Sequence, residues 1–479
     1  MNSPLIRKIT IACGPILFFI LKASLPESVF PESASTVVAT GAWMVLWWIA
    51  EPVPIPVTSL LPLVIMPLTG VSSMSEAAQP YSDPVIFLFM GGFILALGLE
   101  KYQLHQRIAL TLIRLTGTSG NGIIMGFMLA TALISMWISN TATAIMMLPI
   151  ASSVTGLISR DLNMANDPKF HKFATGLMLA IAYSASIGGM ATIIGTPPNV
   201  VMVGHVKRIY GTDVPFAEWM IIGIPLMILI LGACYFVITG VLYRNRLDHI
   251  EGSSELISNK LKEMGPMSSM EKRILWVFGL TCFFWIFRQG INRLAGGNFL
   301  DDTSIAIGGG ILMFLIPTGK GDGPLLEWRD MKEMQWGILL LFGGGMALAE
   351  GMEKSGIVEQ IGSYFSTNKI NGGLLIFSLA LISMALTELM SNVALVTIFV
   401  PVVFGIAEGA GINPIYLALP VTFAASCAFM MPISTPPNAI LFASGYIKMK
   451  EMVKTGFFLN LFSLLIIFLL SITLMNRFF

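Results

Sequence analysis

Charge is scarce in this sequence: only 11% of its 479 residues are Asp, Glu, Lys or Arg, against about 25% in soluble domains. Cysteine is scarcer, and Cys13, Cys234, Cys282 and Cys427 all lie in apolar stretches. None belongs to a CxxC or Cys/His cluster, which excludes the spacing of a disulfide framework or a zinc site. There is no long basic run, and the formal net charge is +1, which argues against nucleic acid as a partner. No HExxH, GxSxG or paired carboxylate stands in an apolar segment, so the nucleophile–base pair or metal cluster of an intramembrane enzyme is missing. The expectation is a protein that is not an enzyme.

Apolar residues are what the chain has in excess. They make up 55% of it, and the mean hydropathy is +0.79. With ~20 apolar residues per bilayer crossing, the chain has room for about eleven spans. It reads as an all-α polytopic membrane protein. Residues 1–25 place Arg7 and Lys8 ahead of an apolar run, as a signal peptide does, but no small-residue cleavage site follows, and the run is read as a retained first span.

Further spans are expected near 35–50, 57–70, 84–99, 172–192, 219–243, 274–290, 303–317, 334–350, 413–431 and 455–475. The apolar pieces 121–158 and 372–406 are too long for one span, and each carries Ser-Asn in its middle. A straight crossing would put that polar pair in hydrocarbon, so each is read as a helical hairpin that enters and returns; irregular backbone at that depth needs protein or a water-filled cavity around it. The only long polar connection, 244–273, holds six basic and five acidic residues and reads as a solvated cytoplasmic linker. The organisation is therefore an N-terminal span in 1–34, a first repeat in 35–243 with hairpin 121–158 and broken helix 172–206, the linker, and a second repeat in 274–479 with hairpin 372–406, broken helix 413–446 and last span 455–475.

The halves match each other. LFMGGFILALGLEK at 88–101 aligns without gaps to LFGGGMALAEGMEK at 341–354, an offset of 253. Ser139-Asn140 matches Ser391-Asn392, an offset of 252, and GTPPNVV at 195–201 matches STPPNAI at 434–440, an offset of 239. The shorter last offset reflects the polar loop 160–172 of the first half. After the first GLEK come Lys101, Arg107 and Arg114; after the second, Glu353 and Glu359 balance Lys354 and Lys369. Basic residues also collect at Arg160/Lys169/Lys172, Lys320/Arg329/Lys332 and Lys448/Lys450/Lys454. The positive-inside rule then places these and the N-terminus in the cytoplasm and inverts one repeat against the other.

Paired interruptions at corresponding places in two halves mark the binding site of a secondary transporter. The double prolines 197/198 and 436/437 cannot continue a helix but can start one, so each TPPN reads as an unwound break followed by a fresh helix. Ser-Asn offers oxygens and amides at another helix start, where the macrodipole favours an anion. No charged residue lies in 121–158 or 173–204, and only Glu388 and Glu408 lie in 370–447. An anion here must be met by helix N-termini and bound cations. Na⁺ accepts the hydroxyls, amide oxygens and carbonyls on offer, and neither charge is tolerated alone at depth. Glu388 is read as hydrogen-bonded at its hairpin turn, the alternative being a proton carrier. His105, His171, His205 and His249 fall in or beside loops and are read as surface residues; Trp47, Trp48, Trp137, Trp219 and Trp336 are read as an interfacial belt. The 31 Met are read as lipid-facing and core filler.

At these motifs the sequence resembles the divalent anion:sodium symporter family, which includes di- and tricarboxylate and sulfate transporters. Ser139-Asn140-Thr141, Ser391-Asn392, GTPPN and STPPN carry the resemblance. So does ASCAFMMPISTPPNAIL at 425–441, around Ser426, Phe429, Pro432 and Asn438, with Leu441 where Val is usual. The resemblance implies eleven spans and two re-entrant hairpins in an inverted repeat, a homodimer in the cell inner membrane, and a transport domain sliding elevator-fashion on a scaffold. It implies a first Na⁺ site at Ser135, Ser139, Asn140 and Gly195. A second falls at Thr387, Met390, Asn392 and Ser434, with Met390 contributing only its backbone carbonyl. The carboxylates of a small dianion would meet Asn140, Thr141, Thr196, Asn392, Val393 and Pro436. Many dicarboxylate carriers have Thr where Val393 stands; the missing hydroxyl is worth ~1–2 kcal/mol if charge-assisted. The expected activity is Na⁺-coupled symport of a C4-dicarboxylate, with a Na⁺-independent dicarboxylate exchanger or a sulfate or tricarboxylate carrier as alternatives on the same fold.

Overall fold

The computed structural model describes residues 4–26, 31–160, 167–245, 247, 250, 252–319, 323–366 and 371–475. His249, Lys320, Lys369 and residues 161–166 of the polar loop lie outside the described residues. The described chain is overwhelmingly helical. Among the described residues, eight helices are long and apolar enough to cross a membrane, and five shorter apolar helices accompany them.

Each half carries a helix hairpin wrapped on a broken helix. In the first, Gly120–Ser135 and Asn140–Arg160 both pack on Pro168–Gly189, which continues after a break as Pro197–Tyr210. In the second, Gly372–Thr387 and Asn392–Gly409 both pack on Pro414–Ala425, followed by Pro436–Phe442. The sequence sets these ends locally. Ser119 caps the first hairpin by accepting from the Gly122 N–H at 3.0 Å, and Asn371 caps the second by accepting from Gly373 at 2.8 Å. The leading arms have 16 residues each, about 24 Å of helix, short of a ~30 Å hydrocarbon core. Neither arm is long enough to cross such a core by itself. At both breaks the double prolines take the first helical positions, where a missing N–H costs nothing.

The arms lie tight on the broken helices because glycine lets them. A Cβ on Gly188 would overlap the Ala132 carbonyl. The following helices back the breaks in the same way. A Cβ on Gly223 would lie 2.7 Å from the Ala191 oxygen, and one on Gly456 would overlap the Phe429 carbonyl.

Several expectations need correction. Linker 244–273 is not simply solvated. Ile250 and Ile257 are buried, Ser253–Glu263 is helical, and a capping box at Ser268 and Glu271 starts Ser269–Ala295 inside the linker's range. Leu247 O accepts from Gly120 N at 2.8 Å, and Arg107 reaches Glu271 at 2.6 Å and Gly265 O at 2.8 Å. The charged segments after GLEK and GMEK are amphipathic helices, Leu104–Leu115 and Ile357–Ser366, at the same offset of 253. His105 and His205 are buried. His205 lies two turns inside Pro197–Tyr210, and His105 points its Nδ1 at Leu99 O, 2.9 Å away. Trp47, Trp48 and Trp219 are buried in protein rather than set in an interfacial belt; the Trp219 indole N–H is used at a break, on Met190 O at 3.0 Å.

Gly188→Ala is expected to lower the melting point in detergent, costing about 1–3 kcal/mol from overpacking. Gly279→Ala, in a helix and facing open space, is expected to melt no lower than wild type. Equal melting of the two variants would refute the close approach.

Candidate functional site

The two hairpin tips and two breaks meet around one cavity of about 440 Å³. Its polar wall is Ser139-Asn140-Thr141, Gly195-Thr196, Ser391-Asn392 and Ser434-Thr435; Ile55, Pro56, Phe89, Phe93, Ile338 and Leu341 form the apolar wall. Among the described residues, no acidic, basic or histidine side chain lines it. Helices of 21, 14 and 18 residues, starting at Asn140, Pro197 and Asn392, open onto it, with the 7-residue Pro436–Phe442 beside them. Three long helix N-termini together offer roughly +1.5 charges.

The halves repeat bond by bond. Ser135 Oγ lies 2.7 Å from both Asn140 Oδ1 and Ala185 O, and Thr387 Oγ1 lies 2.8 Å from Asn392 Oδ1 and 2.5 Å from Ala425 O, each hydroxyl sharing its one hydrogen between two acceptors. Asn199 Nδ2 donates to Gly189 O at 3.1 Å and Thr192 O at 2.8 Å; Asn438 Nδ2 donates to Ala428 O at 2.9 Å and Met431 O at 3.0 Å. Each hairpin is thus tied across its own tip and to its broken helix, and each break is spanned by the asparagine of its TPPN.

All the residues expected around the anion, Asn140, Thr141, Thr196, Asn392, Val393 and Pro436, line the cavity. Of the first cation set, Ser135 touches Asn140, and Ser139 and Gly195 line the cavity. A Cβ on Gly189 would lie 2.6 Å from Asn140 Oδ1 and 3.1 Å from Gly195 O, so glycine leaves an oxygen-lined cradle there. Hydroxyl, amide and carbonyl oxygens suit a hard cation. Of the second set, Thr387 and Asn392 are bonded, Ser434 Oγ lies 3.1 Å from Glu388 O, and Met390 follows at the tip without lining the cavity.

Residues 7–477 match the family model described as the sodium:sulfate symporter transmembrane region. The chain belongs to that family. Its members are transporters, not enzymes. It is 38% identical over 462 residues, 95% of this chain and 89% of the relative, to the sodium-dependent dicarboxylate transporter SdcS of Staphylococcus aureus strain USA300. It has the same identity and coverage with SdcS of the bovine strain RF122. Among solved structures, the YdaH transporter of Alcanivorax borkumensis has a TM-score of 0.58 at 13% identity, covering 91% of this chain and 98% of that one. MtrF of Neisseria gonorrhoeae also scores 0.58 at 13% identity, with coverage of 85% and 83%. Both share the fold.

Sequence reasoning missed several residues that line the cavity. Phe89 and Phe93 belong to the repeated LFMGGF stretch, where repetition was a signal without an assigned role. Gln335 is one polar residue at the start of a span, and only tertiary structure shows that it lines the cavity. Glu388 does not line the cavity. Its carboxylate accepts from Phe429 N at 2.9 Å, Met430 N at 3.0 Å, Met431 N at 3.1 Å, Ser434 Oγ at 3.0 Å and Asn460 Nδ2 at 2.8 Å. These donors make it an anchor for the second break, the hydrogen-bonded reading rather than that of a group open to the cavity. At the offset of 252 the first half has Met136, so this anchor has no counterpart.

Glu388→Gln puts an N–H₂ group among backbone donors and leaves at least one unpaired, a cost of about 1–3 kcal/mol. The expected outcome is a clear drop in melting point in detergent; wild-type melting would refute the anchoring role.

Proposed function

We propose that this chain is a secondary active transporter that couples Na⁺ to the symport of a small dicarboxylate, a C4 acid such as succinate, malate or fumarate. The observation that carries the reading is the cavity itself: four helix starts and a set of neutral oxygens, with no basic side chain. Roughly +1.5 charges from three long helix N-termini fall short of a dianion's −2, and bound Na⁺ supplies the remainder. Conversely, Na⁺ among neutral oxygens gains from the anion beside it. The names of the S. aureus relatives support both halves of the reading.

In this reading Ser135, Ser139, Asn140 and Gly195 hold one Na⁺, and Thr387, Met390, Asn392 and Ser434 hold another. Asn140 and Asn392 face both ion and anion, which makes the two bindings interdependent. The apolar wall of Phe89, Phe93, Ile338 and Leu341 excludes water from the anion's carbon chain. Two inverted repeats, 35–243 and 274–479, place one hairpin on each side of the membrane. The hairpins and broken helices form the moving body, the remaining spans form the scaffold, and the transporter works as a homodimeric elevator in the cell inner membrane with its N-terminus in the cytoplasm. The bond-by-bond repeat supports the paired design, and the basic-residue bias supports the orientation.

Uptake of labelled succinate into proteoliposomes is expected to need an inward Na⁺ gradient and to fail in K⁺ or choline; uptake that ignores Na⁺ but needs internal dicarboxylate would make the protein an exchanger. Asn140→Ala and Asn392→Ala are each expected to abolish coupled uptake, and a well-folded variant with wild-type uptake and Na⁺ dependence would overturn the site. Val393→Thr is expected to keep transport while shifting preference among dianions by up to about tenfold, the worth of one charge-assisted hydrogen bond. Loss of transport for every anion would contradict that expectation.

A further inference from the structure

Gln335 stands just before Trp336–Lys354, where it lines the cavity, and its Nε2 donates to Ser139 Oγ at 3.1 Å. The same oxygen accepts from the Ala142 N–H at 3.2 Å. A serine hydroxyl has two acceptor positions, and here both are taken. A cation ligated by Ser139 Oγ must therefore displace one donor. The Ala142 N–H is held by the helix that begins at Asn140, whereas Gln335 is a side chain free to turn. The second half has no such contact: Ser391 makes no capping bond, and Ser82, at Gln335's offset of 253, is exposed and bonds Gln79 O at 2.9 Å.

We infer that Gln335 is a positioning residue that couples cation to anion: its amide latches Ser139 when the first cation site is empty, is released when Na⁺ takes Ser139 Oγ, and then donates to a carboxylate oxygen in the cavity that it lines. This rests on the sodium–dicarboxylate reading above. The latch makes Na⁺ work against a hydrogen bond when the anion is absent, and the anion provides the amide with a new acceptor. Each ligand then raises the other's affinity by the same factor.

The test uses purified full-length protein, wild type, Gln335→Met and Gln335→Glu. Thermal stabilisation is titrated with NaCl at constant ionic strength, with and without saturating succinate, and succinate KM and kcat are measured in proteoliposomes. Gln335→Met keeps the side chain's shape without its donors. It is expected to lower the half-stabilising Na⁺ concentration several-fold without succinate, and to raise succinate KM about tenfold, the worth of one hydrogen bond to a charged group. The maximal rate stays near wild type, and the succinate-induced shift of the Na⁺ midpoint shrinks. Gln335→Glu keeps length and places a carboxylate near Ser139; it is expected to move Na⁺ and succinate affinities further in the same opposite directions, and serves as the test should the Met variant fold poorly. Unchanged Na⁺ midpoint and KM, or weakening of both ligands in parallel, would overturn the latch while leaving the symporter reading intact. A wild-type protein that neither responds to Na⁺ nor needs it for succinate uptake overturns that reading, and the latch with it.

Discussion

A chain that stops being helical inside a bilayer must satisfy its freed carbonyls and amides from its own atoms, because hydrocarbon offers none. Two asparagines share that burden with Trp219 at the first break and Glu388 at the second. Asn199 and Asn438 each bridge two carbonyls of the preceding break, ten and seven residues upstream in both cases. Each side chain is completely buried. Without these braces the segments 190–196 and 426–435 would expose unpaired carbonyls, and neither the cavity nor the helix starts that face it would hold their positions.

Once the breaks are held, the chemistry follows from what they bring inward. Hydroxyls at Ser135 and Thr387 tie the tip asparagines to the broken helices, so each hairpin tip is held against its break. Helix starts supply diffuse positive potential without a buried lysine or arginine, whose desolvation would be costly at this depth. A site of this kind binds an anion weakly alone and a cation weakly alone. That mutual need is the physical content of coupled transport, and it follows from the absence of charge as much as from the groups present.

The halves are related but not equivalent. The second break has an internal carboxylate, Glu388, and a supporting Asn460; the first has Met136 and, by the offset of 233 set by Gly223 and Gly456, Met227. At the tips, Thr141 of the first half corresponds to Val393 of the second at the offset of 252, and of the two tip serines Ser139 carries the Gln335 contact. These differences give the two sides of the cavity distinct surroundings within a shared architecture.

The membrane class, the repeat, the hairpins and the two breaks were legible in the sequence, because each depends on local terms: hydropathy over a span, proline chemistry, and a motif recurring at nearly constant offset. Helix ends were less so: the span expected over 57–70 is two helices, Ile55–Thr58 and Leu61–Leu68, and the one expected over 413–431 stops at Ala425. The amphipathic helices Leu104–Leu115 and Ile357–Ser366 were hidden because their charges resemble those of loops, while their apolar faces matter only against a partner. The positions of His205 and Trp219 were misread because burial is decided by neighbouring helices. Gln335 and Glu388 show the limit most clearly. One donates to Ser139, 196 residues earlier, and the other accepts from amides 41 to 43 residues later. A hydrogen bond depends on a few tenths of an ångström, which only the packed chain specifies, whereas insertion into hydrocarbon depends on summed composition, which the sequence by itself determined.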